Sequence, residues 1–407
     1  MMETGKYQSV LEKFKKYVMP TNAPKLLIEK GQGAWVWDSA QRRYLDFATG
    51  ISVCNLGHCH PAVTAAIQKQ AETLVHVSNL YMTENQPVLA EKIIKHCFDG
   101  VAFFANSGAE SNEGMIKFAR KWGSDKGKFE IISMEESFHG RTLATLAATG
   151  RSKYRQGFAP DMPGFKQVPF NDIEALRGAI NDKTVAVMLE PVQGEGGILP
   201  SCPEYLKEVR ELCDERGILL LFDEVQCGMG RCGTFFAFQS YGVEPDAVSM
   251  AKALGNGFPI GAFIVKRKWA DTLVVGTHAS TFGGTPLACA AANAVIDVID
   301  SENILENCSK MGEYLMDELQ NLSVKYEFIK EVRGRGLMLG VVLDRPAGDL
   351  LPMLQEEGLI ALTAGENVLR LMPPLNVSKE EADCAIQIMD KVFAEFAKKS
   401  RTSASKI

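Results

Sequence analysis

No apolar run in this sequence approaches the ~18 residues that a bilayer-spanning helix needs. The opening residues, Met1-Met2-Glu3-Thr4-Gly5-Lys6, lack the apolar core of a secretion signal. The ten cysteines contain no Cys-x-x-Cys pair and no Cys/His cluster at zinc spacing, so they read as reduced thiols of a cytoplasmic protein. Positive charge is not in excess. A net charge of −6 argues against a general nucleic-acid surface. There are no internal repeats and no low-complexity stretch except the tail 398–407, which is expected to fray. His58 and His60 flank Cys59, but no third ligand stands near them, and no metal is expected because a site needs three or four donors.

What remains is an ordinary globular composition, 46% hydrophobic and 23% charged, in a 407-residue chain with room for two or more domains. Several short apolar runs without alternation read as strands buried on both faces, as in a parallel sheet. Ile-Leu-Leu-Leu-Phe at 218–222 ends in Asp223-Glu224-Val225-Gln226. The run 247–251 ends in Lys252, followed by the breaker Gly255-Asn256-Gly257-Phe258-Pro259. Ligands of open α/β sheets bind at the carboxyl ends of the strands, so Asp223 and Lys252 are expected to face one crevice. A lysine and a carboxylate so placed suit pyridoxal phosphate, which bonds to an amine and needs its ring nitrogen protonated. Taken alone, the two residues more often describe an ordinary ion pair at a sheet edge.

Other strand ends carry chemistry as well. The strand 101–104 leads into Asn106-Ser107-Gly108-Ala109-Glu110, where a helix starts. Free amides and the helix dipole there favour a phosphate, although plain capping by Ser107 explains the same residues. No Gly-Lys-Ser/Thr closes this turn, so it is not a P-loop. The strand 130–133 is followed by Ser137-Phe138-His139-Gly140-Arg141-Thr142, where Phe138 can stack on a planar ring and Arg141 can fork a carboxylate. Core packing of the Phe and a solvated Arg are the plainer reading. The strand 185–189 ends in Glu190-Pro191-Val192-Gln193-Gly194-Glu195-Gly196-Gly197, two acids on a glycine-rich turn that could carry a movable counter-ion. The polar loop Thr277-His278-Ala279-Ser280-Thr281-Phe282-Gly283-Gly284 precedes an Ala-rich helix over 286–299. Beyond 310–325 the pattern changes to a strand over 337–343, a helix around 347–357, a hairpin through Val368-Leu369-Arg370-Leu371 and a helix over 379–398.

Together these segments, from Tyr17-Val18-Met19-Pro20 to Arg370-Leu371-Met372-Pro373-Pro374-Leu375, resemble the class III aminotransferases. The stretch from Leu221-Phe222-Asp223-Glu224-Val225-Gln226 through Lys252 is close to the family signature. Ser78-Asn79-Leu80-Tyr81, the Ser137–Thr142 motif and the 277–284 loop are most similar to the acetylornithine subgroup. The resemblance implies an α/β protein of pyridoxal-phosphate fold type I. It has a large domain with a mostly parallel seven-stranded sheet (51–315), a smaller α+β domain (316–407), and an N-terminal segment (1–50) packed with the latter.

The resemblance also implies roles for particular residues. Lys252 would bond to the cofactor and shuttle a proton. Asp223 would protonate the ring nitrogen, Val225 and Phe138 would flank the ring, and Gln226 would reach its hydroxyl. Ser107, Gly108 and Ala109 would hold the phosphate. Thr281 would reach it from the other subunit of a homodimer. Arg141 and Ser280 would bind the α-carboxylate side of an acylated diamine. Arg370 would bind the carboxylate beside the reacting carbon of an α-amino acid, and Glu195 would mask Arg370 when a terminal amine is the donor.

The implied reaction moves the δ-amino group of N2-acetylornithine to 2-oxoglutarate, a step of arginine biosynthesis. The segment Asn22-Ala23-Pro24-Lys25 departs from the commonest subgroup pattern. Succinylornithine, ornithine, 4-aminobutyrate and succinyl-diaminopimelate therefore stay open as substrates. So does a non-catalytic protein that binds the cofactor, against which the presence of Lys252, Asp223, Arg141, Arg370 and Glu195 speaks.

Overall fold

The computed structural model describes residues 2–404. Its centre is a seven-stranded sheet in the order Gly100–Ala105, Gly261–Lys266, Ala247–Met250, Leu219–Asp223, Thr184–Leu189, Glu130–Met134, Phe165–Val168. Only Gly261–Lys266 runs antiparallel to its neighbours; the remaining pairings are parallel. Every residue of Thr184–Leu189, Leu219–Asp223 and Ala247–Met250 is buried, which is why these strands carry no polar face. The helix Pro203–Arg216 returns the chain from one parallel strand to the next, burying Tyr205, Leu206, Val209, Leu212 and Cys213 along one stripe.

Register fixes the functional edge. Phe222 pairs with Val248 and Asp223 with Ser249, so Asp223 closes its strand three residues short of Lys252 on the neighbouring segment. Glu190 follows Leu189, which pairs with Phe222. Three ionisable groups thus meet at one carboxyl edge because three fully buried strands end there together.

A second layer brings the chain ends together. The antiparallel strands Ile28–Gln32, Trp35–Asp38 and Arg43–Asp46 form a sheet whose fourth member, Leu359–Ile360, runs parallel to Arg43–Asp46 with Leu45 opposite Leu359. Ile329–Arg335, Met338–Leu343, Val368–Leu371 and Leu362–Ala364 make a separate antiparallel sheet. Helix Ile304–Lys325 leads into it, and helix Lys379–Ala404 packs behind it, with Tyr326 edge-on to Phe393 at 5.8 Å.

Three expectations are corrected here. Ile28–Gln32 and Ile329–Arg335 are strands that the hydrophobic pattern did not mark, since their exposed polar positions hide any apolar alternation. The final helix continues past Lys398 to Ala404, over residues that include neither Gly nor Pro to stop it. The remainder of the tail expected to fray, 405–407, lies outside the described residues, as does Met1. Among the described residues no helix is long and apolar enough to cross a membrane, and no three His, Cys, Asp or Glu side chains cluster as metal ligands. All ten cysteines are free thiols.

Arg231 ties the layers to one another. It is fully buried, and its guanidinium donates to Ser52 Oγ (3.0 Å), Leu337 O (2.9 Å), Pro373 O (2.6 Å) and Asn55 Oδ1. Every acceptor is neutral, and burial pulls the Arg231 pKa down to about 10. His58 makes a second tie, 2.8 Å from Asp46 Oδ2. That hydrogen bond, aided by Cys54 against the opposing effect of burial, raises the imidazole to about 10. His60 instead faces Glu302 at 3.7 Å, so the two histidines do not converge.

Two predictions concern stability. Arg231→Met leaves four buried acceptors without their donor and is expected to cost about 3 kcal/mol, read as a clear fall in Tm. An unchanged Tm would mean that the acceptors find other donors. Because folding raises His58 from 6.5 to about 10, its pairing stabilises fully below pH 6.5 and fades as pH climbs through 10. The Tm gap between wild type and His58→Gln should therefore narrow between those pH values; a gap that widens contradicts the assignment.

Candidate active site

A cavity of about 210 Å³ opens at the carboxyl edge of the sheet, lined by Gly108, Ala109, Asn112, Phe138, His139, Gly140, Arg141, Glu190, Asp223, Val225, Gln226 and Lys252. Asp223 lies at its floor, 3% exposed. One carboxylate oxygen accepts from Asn112 Nδ2 (2.7 Å) and lies 2.8 Å from His139 Nδ1. The other accepts from the Val225 amide (3.0 Å) and from Ser249 Oγ at the long distance of 3.5 Å. Asn112 is itself held by donating to the His139 carbonyl (2.7 Å) and accepting from Ser249 Oγ (2.6 Å). A buried carboxylate fixed from several sides presents its oxygens at one place.

Lys252 reaches the same cavity from the neighbouring segment. Its backbone sits at φ +47°, a left-handed conformation that a long side chain adopts only under constraint. Burial lowers its pKa, Arg370 lowers it further, and Glu195, Asp223 and Glu190 oppose them. Among the described residues its amine makes no ion pair and no side-chain hydrogen bond. A buried, unpartnered amine with a depressed pKa is a nucleophile in waiting.

The phosphate end is formed by helix Gly108–Gly123. Ser107 caps it, with Oγ accepting from the Glu110 amide at 3.2 Å, so the cap takes one of the first-turn donors. The earlier amides at Gly108 and Ala109 have no acceptor within a helix and border the cavity. A Cβ at position 108 would come within 2.6 Å of Val225 Cγ1, so only glycine lets the turn lie this close to Val225. Ser107 lies behind these amides and does not line the cavity.

Arg370 and Glu195 stand beside the amine, one step back from the cavity wall. Arg370 is 3% exposed on strand Val368–Leu371, and its Nη1 lies 2.5 Å from Glu195 Oε1 and 3.2 Å from Gln226 Oε1. Its Nε is buried without a partner. Burial pushes the Glu195 carboxyl up, but Arg370 and Lys252 hold it below the ordinary value overall. At the mouth, exposed Arg141 packs over the rings of Tyr154 (4.1 Å) and Phe138 (5.4 Å) and makes no salt bridge among the described residues. Its guanidinium is therefore positioned by aromatic faces and open to a carboxylate.

Ser280 and Thr281 are not brought to Lys252 within the chain. They line a separate cavity of about 340 Å³ with Asn106, Glu110 and Phe282, and Asn106 Nδ2 contacts Ser280 Oγ at 3.3 Å. The 105–110 turn separates the two cavities, with Gly108 and Ala109 on one side and Ala105, Asn106 and Glu110 on the other. Two polar side chains of the cavity, Asn112 and His139, had no role assigned from sequence, and Glu190 had only the general one of an acid on the turn after its strand. Asn112 interrupts the apolar face of its helix and His139 lies inside a quoted motif, so both were visible as residue types; their joint grip on Asp223 exists only in the fold. Glu190 is 4% exposed and burial raises it to about 7, with His139 opposing and Asp223 adding to that rise.

An amine, a carboxylate opposite, free helix amides and an aromatic wall fit pyridoxal phosphate: Lys252 for the aldehyde, Asp223 for the ring nitrogen, Gly108 and Ala109 for the phosphate. Comparison with known proteins agrees. The model of the aminotransferase class-III family matches residues 18–393. An acetylornithine aminotransferase of Methanocaldococcus jannaschii is 53% identical over 380 residues, 92% of this chain and 95% of that protein. The crystal structure of the ornithine aminotransferase from Toxoplasma gondii superposes with a TM-score of 0.92 at 33% identity, covering 96% of each chain. The N-acetylornithine aminotransferase from Stenotrophomonas maltophilia gives 0.83 at 39% identity, covering 95% of this chain and 99% of that one. The chain belongs to the class III aminotransferases, a family dependent on pyridoxal phosphate.

Proposed function

We propose that this protein moves the δ-amino group of N2-acetylornithine to 2-oxoglutarate, with the roles of its site residues as follows. The observation that carries the reading is the Arg370–Glu195 pair, 2.5 Å apart beside the Lys252 amine. Such a transaminase must accept two unlike molecules in turn. The acylated donor carries its carboxylate far from the reacting δ-carbon, whereas glutamate carries one directly beside the reacting carbon. An unmasked Arg370 suits glutamate and leaves an unpaired buried cation when the donor binds. Glu195 offsets that cation and withdraws when the glutamate carboxylate replaces it. Arg141, at the mouth, takes the remote carboxylate of the donor.

The cofactor, when bound, supplies an electron-withdrawing ring that carries the amino group between the two half-reactions. Asp223 holds the positive ring nitrogen, and Asn112 and His139 orient Asp223. Lys252, kept basic but largely desolvated, moves the proton at the reacting carbon. Val225 and Phe138 would flank the ring, and Gln226 would reach its hydroxyl. The names borne by relatives at about half identity support the acetyl group over succinyl or free amine. A homodimer belongs to the same reading, with Thr281 and Ser280 of a second copy completing the phosphate and substrate ends. It is supported by their position on the outer side of the 105–110 turn, next to the exposed Phe282.

Two measurements test this reading. Lys252→Ala should retain the cofactor without a covalent link. Borohydride treatment would then fix the cofactor mass to the wild type alone, and turnover should fall at least about 100-fold; a variant that still acquires the mass removes Lys252 from its role. Arg141→Ala should raise KM for N2-acetylornithine about 10- to 100-fold and leave that for glutamate little changed, with Arg370→Ala reversing the pattern. Equal losses for both substrates would end the two-arginine scheme, and the same half-reactions run with ornithine, succinylornithine and 4-aminobutyrate rank the donors.

A further inference from the structure

The cavity contains one carboxylate for which neither the cofactor nor the substrates give a use. Glu190 lines it, 4% exposed, with no cation in ion-pair contact among the described residues. A buried carboxylate without a cation is expensive to keep, and proteins retain such groups where their position matters. What compensates it is a pair of backbone donors. The Phe138 amide donates to Oε1 at 2.9 Å and the Gly194 amide donates to Oε2 at 3.2 Å. These amides belong to different loops. One carries the aromatic wall of the cavity, and the other directly precedes Glu195.

We propose that Glu190 is a positioning residue that sets the gate between the two substrates: by clamping the Phe138 and Gly194 amides to each other, it holds Glu195 closed over Arg370. The proposal rests on the two-arginine reading given above. The turn bearing Glu195 is held at two points. On its far side the Glu195 carbonyl accepts from Arg151 Nη1 (2.7 Å) and from the Gly365 amide (2.9 Å). On the cavity side the Gly194 amide is held by Glu190. Gly194 is also pressed against Gln226, since a Cβ there would lie 2.0 Å from Gln226 Oε1. Gln226 in turn accepts from Arg370 and bonds to Glu195. Releasing Gly194 therefore loosens the packing of Gln226 and, through it, the masking pair. Each Glu190 oxygen accepts from a different amide, an arrangement that an isosteric amide side chain, with a single acceptor oxygen, cannot reproduce.

The test is Glu190→Gln in the cofactor-loaded enzyme. The amide side chain accepts from one loop and turns its own donor toward the other. Hydrogen–deuterium exchange, read without substrate, should speed up about tenfold in the peptides containing Phe138 or Gly194, while the sheet strands are unchanged. In single half-reactions the KM for N2-acetylornithine should rise about tenfold, with glutamate altered less than about twofold and kcat largely kept. Unchanged exchange at both amides, or equal effects on both half-reactions, overturns the proposal. Should Glu190→Gln fail to fold, Glu190→Asp, which keeps the charge and loses the reach, is read by the same two measurements: the split between substrates is expected, and its absence overturns the proposal. Exchange at the two amides does not depend on which donor is correct, and equal losses in Arg141→Ala and Arg370→Ala would count against the two-arginine reading alone.

Discussion

The structure depends on holding the Asp223 carboxylate, 3% exposed, among donors that the fold itself supplies. A buried polar group without hydrogen bonds is costly, so donors must stand in place of solvent. Asn112 comes from the helix after the first sheet strand, His139 from the loop after another, Ser249 from the adjoining strand, and the Val225 amide from the next turn. Four segments distant in sequence are thus required at one point. That is why the helix Gly108–Gly123 must lie tight on the sheet, and why a polar residue interrupts its apolar face.

The same edge holds a balance of charges that no pair accounts for alone. Lys252, Arg370, Glu195, Glu190 and Asp223 lie within one electrostatic environment, each felt by the Lys252 amine. Burial and Arg370 make the amine easier to deprotonate; the three carboxylates make it harder. Moving any one of these charges resets the others. On the proposed scheme, swinging Glu195 off Arg370 would remove a stabilising neighbour from the amine as a substrate carboxylate supplied another, and the net charge around Lys252 would stay nearly constant through both half-reactions.

Much of this was legible in the sequence because the parallel sheet writes itself plainly. The strands ending at Asp223, Glu190 and Lys252 are buried on both faces and carry largely apolar runs without alternation, and the chemistry sits at their ends. The strands Ile28–Gln32 and Ile329–Arg335 were not legible, because Lys30, Lys330, Glu331 and Arg333 sit where water covers one side. The grip of His139 and Asn112 on Asp223 was hidden for a different reason. Residues 112, 139, 223 and 249 are brought together by sheet order, which no local pattern encodes. The sequence did not place Ser280 apart from the Lys252 cavity of its own chain, where its loop, with Thr281, reaches the 105–110 turn from the other side.

That turn gives the last step. Its inner side presents the free amides of Gly108 and Ala109, while its outer side carries Asn106 and Glu110 toward Ser280 and Thr281. Among the described residues lining the cavity, a phosphate on the inner side would meet the amides of Gly108 and Ala109, and the lysine and arginine there are Lys252 and Arg141. A doubly charged group needs more than two neutral donors to be held against water. The shortfall points outward across the turn, where apolar Phe282, exposed in the single chain, lies beside two hydroxyl groups with no ring or phosphate of their own to bind. On the proposed homodimer, a second copy meeting that face would bury the aromatic ring and lend its hydroxyls to the first.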